Sequence, residues 1–182
     1  PAPAKYPRPI PITALEFSPD GRELAASGLR EITLWNPATG GLVRRIPNMT
    51  QQTLALAWSP DGKQLVAAGG IPGELGEARV FDPDTGDLLA VAHRSGDVVL
   101  DVRYDSIGAM FAVADAENRI AIYNSTDFSR RRLIDNHADW VLALAWSPDG
   151  KFLASASRDK TAKIFEAKSG EAISTYSGHR AE

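Results

Sequence analysis

Apolar and polar residues alternate along most of this chain in short runs, and a period of two is the mark of strands with one face buried. Four of the runs end in an aromatic residue followed by a polar one: Ile32-Thr33-Leu34-Trp35-Asn36, Ala78-Arg79-Val80-Phe81-Asp82, Ile120-Ala121-Ile122-Tyr123-Asn124 and Ala162-Lys163-Ile164-Phe165-Glu166. Before each lies a pair of strand-like runs joined by a turn. Leu15-Glu16-Phe17-Ser18-Pro19-Asp20-Gly21, Leu56-Ala57-Trp58-Ser59-Pro60-Asp61-Gly62 and Leu144-Ala145-Trp146-Ser147-Pro148-Asp149-Gly150 share one grammar, and Val102-Arg103-Tyr104-Asp105-Ser106-Ile107-Gly108 is a degenerate copy. Proline presets the turn's φ, while Asp-Gly supplies a side-chain acceptor and a permissive backbone. The glycines at 21, 62, 108 and 150 are spaced by 41, 46 and 42 residues, so the chain is an internal repeat with a period in the low forties.

The pattern predicts four strands per repeat. Repeat one uses 12–17, 23–27, 31–35 and 42–46; repeat two 54–58, 64–68, 77–81 and 87–92; repeat three 98–104, 110–114, 119–123 and 129–134; repeat four 140–146, 152–157, 161–165 and 172–176. The recurrent Ser-Pro-Asp-Gly turns and the strands ending Leu34-Trp35-Asn36 and Val80-Phe81-Asp82 resemble the WD40 family, and the likeness covers nearly everything from Pro11 onward. It implies an all-β protein, a β-propeller of WD40 type with four four-stranded antiparallel blades at about 12–53, 54–97, 98–139 and 140–177. Gly178-His179 would open a fifth repeat, because a Gly-His pair introduces repeats in that family. Family members close with seven or eight blades, so this set is expected to be incomplete, or to be completed by another segment or a second copy. Residues 1–11 hold five of the twelve prolines and read either as a semi-rigid linker or as an ordered lead-in to the first sheet.

Composition narrows the chemistry. A net charge of −3 with one dense basic stretch, Arg130-Arg131-Arg132, argues against a nucleic-acid surface, and that stretch falls on a predicted outer strand where charge discourages edge pairing. Cysteine is absent, which excludes disulfides, thiolate catalysis and cysteine-zinc sites in this segment. No apolar run approaches the roughly 20 residues of a membrane-spanning helix, so no membrane contact is expected from this segment. Asn48-Met49-Thr50 and Asn124-Ser125-Thr126 are formal glycosylation sequons without a supporting secretory signal.

Candidate site residues fall into two groups. The family's structural hydrogen-bond set joins a histidine, a second-strand hydroxyl, a turn aspartate and the strand tryptophan; by position, repeat four supplies His137, Ser155 or Ser157, and Asp159, with Phe165 in the tryptophan's place and hence one donor fewer. A His137-Asp159 catalytic dyad would also need a nucleophile and a pocket, so the structural role is preferred. In repeat three Glu117 takes the Asp159 position, and His93, two residues out of register with His137, has no evident partner.

The second group is the glycine-rich stretch from Gly69 to Gly76. It is not followed by Lys-Ser or Lys-Thr and leads into a strand, which removes the phosphate-loop reading. It reads as a long loop between the second and third strands of repeat two, on the face that binds partners in the WD40 family, with Ile71, Pro72, Glu74 and Leu75 as the candidate contact residues. Asp84-Thr85-Gly86 matches an aspartic-protease tripeptide, but Ala38-Thr39-Gly40 and Lys168-Ser169-Gly170 occupy the same hairpin position, so this is turn chemistry. Asp82, Asp84 and Asp87 lack the rest of a calcium loop.

Catalytic residues, a metal and a cofactor are not expected. A protein-interaction scaffold is the function the resemblance implies, with a self-assembling structural module as the alternative. The regular Ser-Pro-Asp-Gly-Lys copies and the insertion at 69–77 look like bacterial WD40 proteins, some of which carry a c-type cytochrome domain before the propeller. That likeness implies the propeller portion of a larger redox protein as a further alternative.

Overall fold

The computed structural model describes residues 11–47, 49 and 52–178; the proline-rich stretch before Pro11, Asn48, Thr50 and His179 lie outside them. Sixteen strands form four antiparallel sheets, and no helix occurs among the described residues. Blade 1 holds β1 (Leu15–Phe17), β2 (Leu24–Ser27), β3 (Ile32–Asn36) and β4 (Gly41–Ile46); blade 2 holds β5 (Gln52–Trp58), β6 (Leu65–Ile71), β7 (Leu75–Phe81) and β8 (Leu88–Ser95). Blade 3 holds β9 (Val99–Tyr104), β10 (Met110–Asp115), β11 (Arg119–Asn124) and β12 (Arg130–Asp135), and blade 4 holds β13 (Val141–Trp146), β14 (Phe152–Ser157), β15 (Ala162–Glu166) and β16 (Ala172–Tyr176). Within each sheet the strands pair in chain order. The first strands are neighbours, β1 beside β5, β5 beside β9 and β9 beside β13, and no extensive contact returns from β13 to β1 among the described residues.

The Ser-Pro-Asp-Gly turns close on themselves. In blade 1 the Ser18 hydroxyl donates to Asp20 Oδ1 at 2.7 Å, Arg22 N donates to the same oxygen at 3.0 Å, and Glu23 N donates to Ser18 Oγ at 2.9 Å. Gly21 takes φ +70°, which an L side chain resists. The same bonds recur around Ser59-Asp61 and Ser147-Asp149. In blade 3 Asp105 replaces the serine and accepts Met110 N, and Ser106, in the proline's place, donates from Oγ to Pro148 O of blade 4.

The core lies between blades: the two inner sheets are buried on both faces, and blades 1 and 4 on the face toward their neighbour. Strand register lines up one aromatic-rich row across each sheet: Trp58, Leu65, Phe81 in blade 2, Tyr104, Phe111, Tyr123 in blade 3, and Trp146, Leu153, Phe165 in blade 4. Each row packs on the smaller residues of the blade before it: the first on Ala25, Ile32 and Leu34, the second on Ala57, Val66 and Val80, the third on Ala112, Ile120 and Ile122. Phe81, Phe111 and Phe165 are almost wholly buried, and each such ring contributes about 2–3 kcal/mol of burial.

Polar ties recur across the same joints. Trp58 Nε1 donates to Glu16 O at 3.4 Å and Trp146 Nε1 to Arg103 O at 3.0 Å, at equivalent positions. Where the row begins with Tyr104, its hydroxyl donates instead to Gln64 Oε1 at 2.8 Å. Leu144 N donates to the buried Asp101 Oδ2 at 2.8 Å, binding blade 4 to blade 3. Arg44 reaches the Asp84 carbonyl, and Arg132 the Lys168 carbonyl, from the outer strand of one blade to the hairpin turn of the next. Arg130, Arg131 and Arg132 all lie exposed on the edge strand β12.

One element differs from the sequence reading. Residues 69–76 are not a long loop: β6 and β7 continue as a paired hairpin, with Gly69 opposite Glu77, Gly70 opposite Gly76 and Ile71 opposite Leu75. The glycines answer close backbone approach within the sheet. A Cβ on Gly69 would collide with the Gln52 carbonyl, and one on Gly70, at φ +149°, with the Leu75 carbonyl. Only Pro72, Gly73 and Glu74 remain at the turn, where Gly73 N donates to Asp97 Oδ1 at 2.8 Å.

Candidate functional site

Two places bring the candidate residues together. The first is built on the connection from β12 to β13 and the turn from β14 to β15. His137 sits on the connection with its side chain 1% exposed. Its Nδ1 lies 2.8 Å from Asp159 Oδ2 and its Nε2 2.6 Å from Ser155 Oγ. A carboxylate only accepts, so Nδ1 carries the proton and Nε2 accepts from the Ser155 hydroxyl. Asp159 also accepts from the Thr161 hydroxyl at 2.6 Å, Thr161 N at 2.9 Å and Ala138 N at 3.1 Å. Burial opposes ionisation of Asp159 most strongly of any single influence, but the Thr161, His137 and amide bonds together hold its carboxyl well below the usual carboxylate range.

Ser157 is not bonded to His137. It donates to Asp139 O at 2.8 Å and accepts Asp159 N at 3.0 Å, fastening the turn to the incoming connection. Phe165 meets His137 edge-on at 6.3 Å between ring centroids and offers no donor to Ser155. Thr161 is the member that sequence position did not single out; it supplies the shortest bond to Asp159.

Blade 3 builds a variant with different residues. Glu117 accepts Gly96 N at 3.1 Å, as Asp159 accepts Ala138 N, and Asp115 accepts Glu117 N at 3.0 Å, as Ser157 accepts Asp159 N. His93 comes from β8 of blade 2. Its Nδ1 is 2.9 Å from the Tyr123 hydroxyl and its Nε2 3.5 Å from Asp115 Oδ2. Burial pushes the Tyr123 hydroxyl above its ordinary value, and Asp115 adds to this while Arg130 and Arg119 oppose it. The clue available in the sequence was Tyr123 itself: a tyrosine at a core aromatic position brings a hydroxyl that needs a partner.

The second place is the β6–β7 hairpin. Ile71 and Leu75 are half-buried at its paired ends, while Pro72 and Glu74 are exposed at the turn. Between the hairpin and blade 1 lies a groove of about 220 Å³ lined by Pro11, Thr13, Leu29, Gln52, Ile71 and Pro72. Glu74 and Leu75 lie outside that lining. On the opposite side, a cavity of about 530 Å³ between the Ser-Pro-Asp turns of blades 1 and 2 is lined by Asp20, Arg22, Glu23, Trp58, Asp61 and Asp84. Two of its carboxylates, Asp20 and Asp61, serve the turns. Asp20 is lowered by the Arg22 amide and Ser18, Asp61 by Ser59 and the Lys63 amide, while burial raises Glu23. Among the described residues no cluster of histidine and acidic side chains is arranged to hold a metal.

The sheets and turns define an all-β propeller-type repeat protein. Residues 128–166 match the family model "WD domain, G-beta repeat". The chain is similar to the chromatin assembly factor 1 subunit FAS2 homolog of Oryza sativa subsp. japonica, 26% identical over 173 residues, covering 87% of this chain and 34% of the relative. It is similar also to WD repeat-containing protein SL1-17 of Schistosoma mansoni, 27% identical over 163 residues, 89% of this chain and 52% of that one. A shorter match to nuclear distribution protein PAC1 of Coccidioides posadasii (strain C735) is 38% identical over 72 residues, 40% of this chain and 15% of that one. These matches support the WD40-repeat family. The chain spans between about a seventh and about half of the length of these curated relatives. All three are eukaryotic, and they lend no support to a bacterial-type or cytochrome-linked parent.

Proposed function

We propose that this propeller segment is a non-catalytic protein-binding scaffold, and that the face carrying the β6–β7 hairpin makes the contact. The observation that carries this reading is the groove in which Leu29, 43% exposed, faces Ile71 and Pro72 across a gap sized for one or two apolar side chains. The hairpin is held by paired strands and by the Gly73–Asp97 bond, so its turn is presented with little ordering cost on binding. Glu74 beside the groove favours a peptide with a basic residue flanking its apolar anchor. A catalytic role for His137 is disfavoured because both ring nitrogens are bonded and the side chain is buried.

The reading is tested by panning a random-peptide display library on the immobilised chain, with counter-selection on Ile71→Asp. Enrichment of peptides with an apolar anchor that bind the parent chain and not the folded variant is expected. Enrichment indifferent to Ile71→Asp, or none, overturns the assignment of this face.

A further inference from the structure

A cleft at the joint between blades 3 and 4 repeats, with the opposite charge, the one described between blades 1 and 2. Met110 stands where blade 1 has Glu23, each just before the second-strand residue, Phe111 or Leu24, that pairs with Tyr123 or Trp35. Lys168 stands where blade 2 has Asp84, each two residues before the turn glycine, Gly170 or Gly86. Both positions offer their carbonyl to an arginine of the blade before, Arg132 or Arg44. The carbonyl closes the joint whichever side chain the position carries, so the fold does not dictate the change from carboxylate to ammonium. The cleft between blades 3 and 4 has a volume of about 320 Å³ and is lined by Met110, Arg131, Lys151, Phe152, Glu166 and Lys168. Glu166 Oε2 already accepts the Ser169 hydroxyl at 2.6 Å. Among the described residues the Arg131 guanidinium meets only the Met110 sulfur, at 3.2 Å, and the Lys168 ammonium has no hydrogen-bond or ion-pair partner. Lys151 lies 3.3 Å from Asp149, but both side chains are half exposed or more, and a pair of that kind exchanges readily. Edge protection accounts for the arginines of β12, but not for Lys151 and Lys168, which lie outside the strands.

We propose that this cleft is a second interaction surface, and that it takes an acidic segment of a partner protein with one apolar side chain set against Met110. Carboxylates on either side of that apolar residue meet Arg131 and Lys168, the two cations that have no acidic partner of their own. The guanidinium fork of Arg131 suits a carboxylate in particular, because it can be gripped by two parallel bonds. A polypeptide fits better than a nucleic acid. The chain carries a net charge of −3, and Glu166 sits in the cleft itself, where it repels a continuous line of phosphates. A peptide can leave that position neutral and keep its carboxylates for the two cations. The surface is separate from the β6–β7 hairpin, because the Gly150 turn and the β15–β16 turn lie at the opposite ends of the strands from the β6–β7 turn.

The test is fluorescence anisotropy with a fluorescein-labelled Glu-Asp-Leu-Glu-Asp peptide at low ionic strength, beside its neutral Gln-Asn-Leu-Gln-Asn counterpart. The acidic peptide should bind the parent chain with Kd on the order of 100 μM, and the neutral one at least about tenfold more weakly. Arg131→Glu and Lys168→Glu, folded by circular dichroism, should each weaken binding about tenfold, and the milder Lys168→Gln about threefold. Lys63→Glu alters the net charge by the same amount at the exposed residue equivalent to Lys151 in the joint between blades 1 and 2, and should change Kd by less than about twofold. No binding to the parent, or a loss from Lys63→Glu as large as that from Lys168→Glu, overturns the proposal. Displacement of the peptide by a short single-stranded DNA of equal charge and at equal concentration also overturns it, in favour of phosphate recognition. Ile71→Asp should leave this affinity unchanged, so failure of the hairpin reading and failure of this one are told apart.

Discussion

Replacing Asp159 with alanine removes the acceptor for four bonds, from Thr161 Oγ1, Thr161 N, His137 Nδ1 and Ala138 N. The His137 donor is 1% exposed and cannot turn to water, and its one remaining neighbour, Thr161 Oγ1, lies at 3.4 Å, so it bears much of the cost of an unmet buried bond, about 1–3 kcal/mol. The two amides and the threonine hydroxyl lie at a partly exposed turn and recover most of their bonding from solvent. The expected loss is about 3 kcal/mol, a fall of about 1–1.5 M in the urea midpoint at an unchanged slope of about 2–3 kcal/mol/M. A repeat array need not unfold in one step, so hydrogen exchange at the Ala138 and Thr161 amides should be followed beside the midpoint and should accelerate together. The pH dependence follows from the sign of the shift. The Asp159 carboxyl is depressed in the folded state, so its contribution is complete above the unfolded carboxylate value of about 3.9 and is lost as pH falls through the folded value. The gap between parent and variant should narrow below about pH 4. A variant within about 0.5 kcal/mol of the parent, or a gap constant from neutral pH into strong acid, would refute the reasoning.

Two further pairs of substitutions test the joints and the hairpin. Trp146→Phe keeps the ring in the row but deletes a 3.0 Å bond to Arg103 O, and should cost about 1 kcal/mol in thermal or urea melts; Trp58→Phe, whose bond is 3.4 Å, should cost less. Gly70→Ala drives a methyl into the Leu75 carbonyl and should cost more than about 2 kcal/mol, while Gly73→Ala, at φ +72° with open space around it, should cost about 1 kcal/mol. Equal losses from Gly70→Ala and Gly73→Ala would show that backbone conformation alone, not close approach, fixes the glycines.

The strands were legible because the repeat sets their spacing, many of them alternate, and the turns between them carry local chemistry. Asp20, Asp61 and Asp149 act on residues two positions away, which is within reach of a sequence pattern. What was not legible depends on partners distant in the chain. Gly69 and Gly70 read as loop by composition, yet they are glycine because the Gln52 and Leu75 carbonyls crowd them inside a sheet. His93 had no partner in its own repeat because its partners, Tyr123 and Asp115, belong to the next blade. The hairpin's own residues were named in advance, but Leu29, which forms the opposite wall of the groove, was not: nothing local connects it to residues some forty positions on.

The directional build of the joints bears on how such a chain grows. Because a repeat carries an aromatic-rich row on one side and, on the other, the smaller residues that receive the next row, a tandem duplication of a single forty-odd-residue unit arrives with both halves of its own contact. Selection can then act on the inherited copies one at a time, as where tyrosine stands for tryptophan at position 104 and aspartate for serine at 105. Divergence of individual repeats is therefore affordable so long as the alternation that separates the two sides is kept.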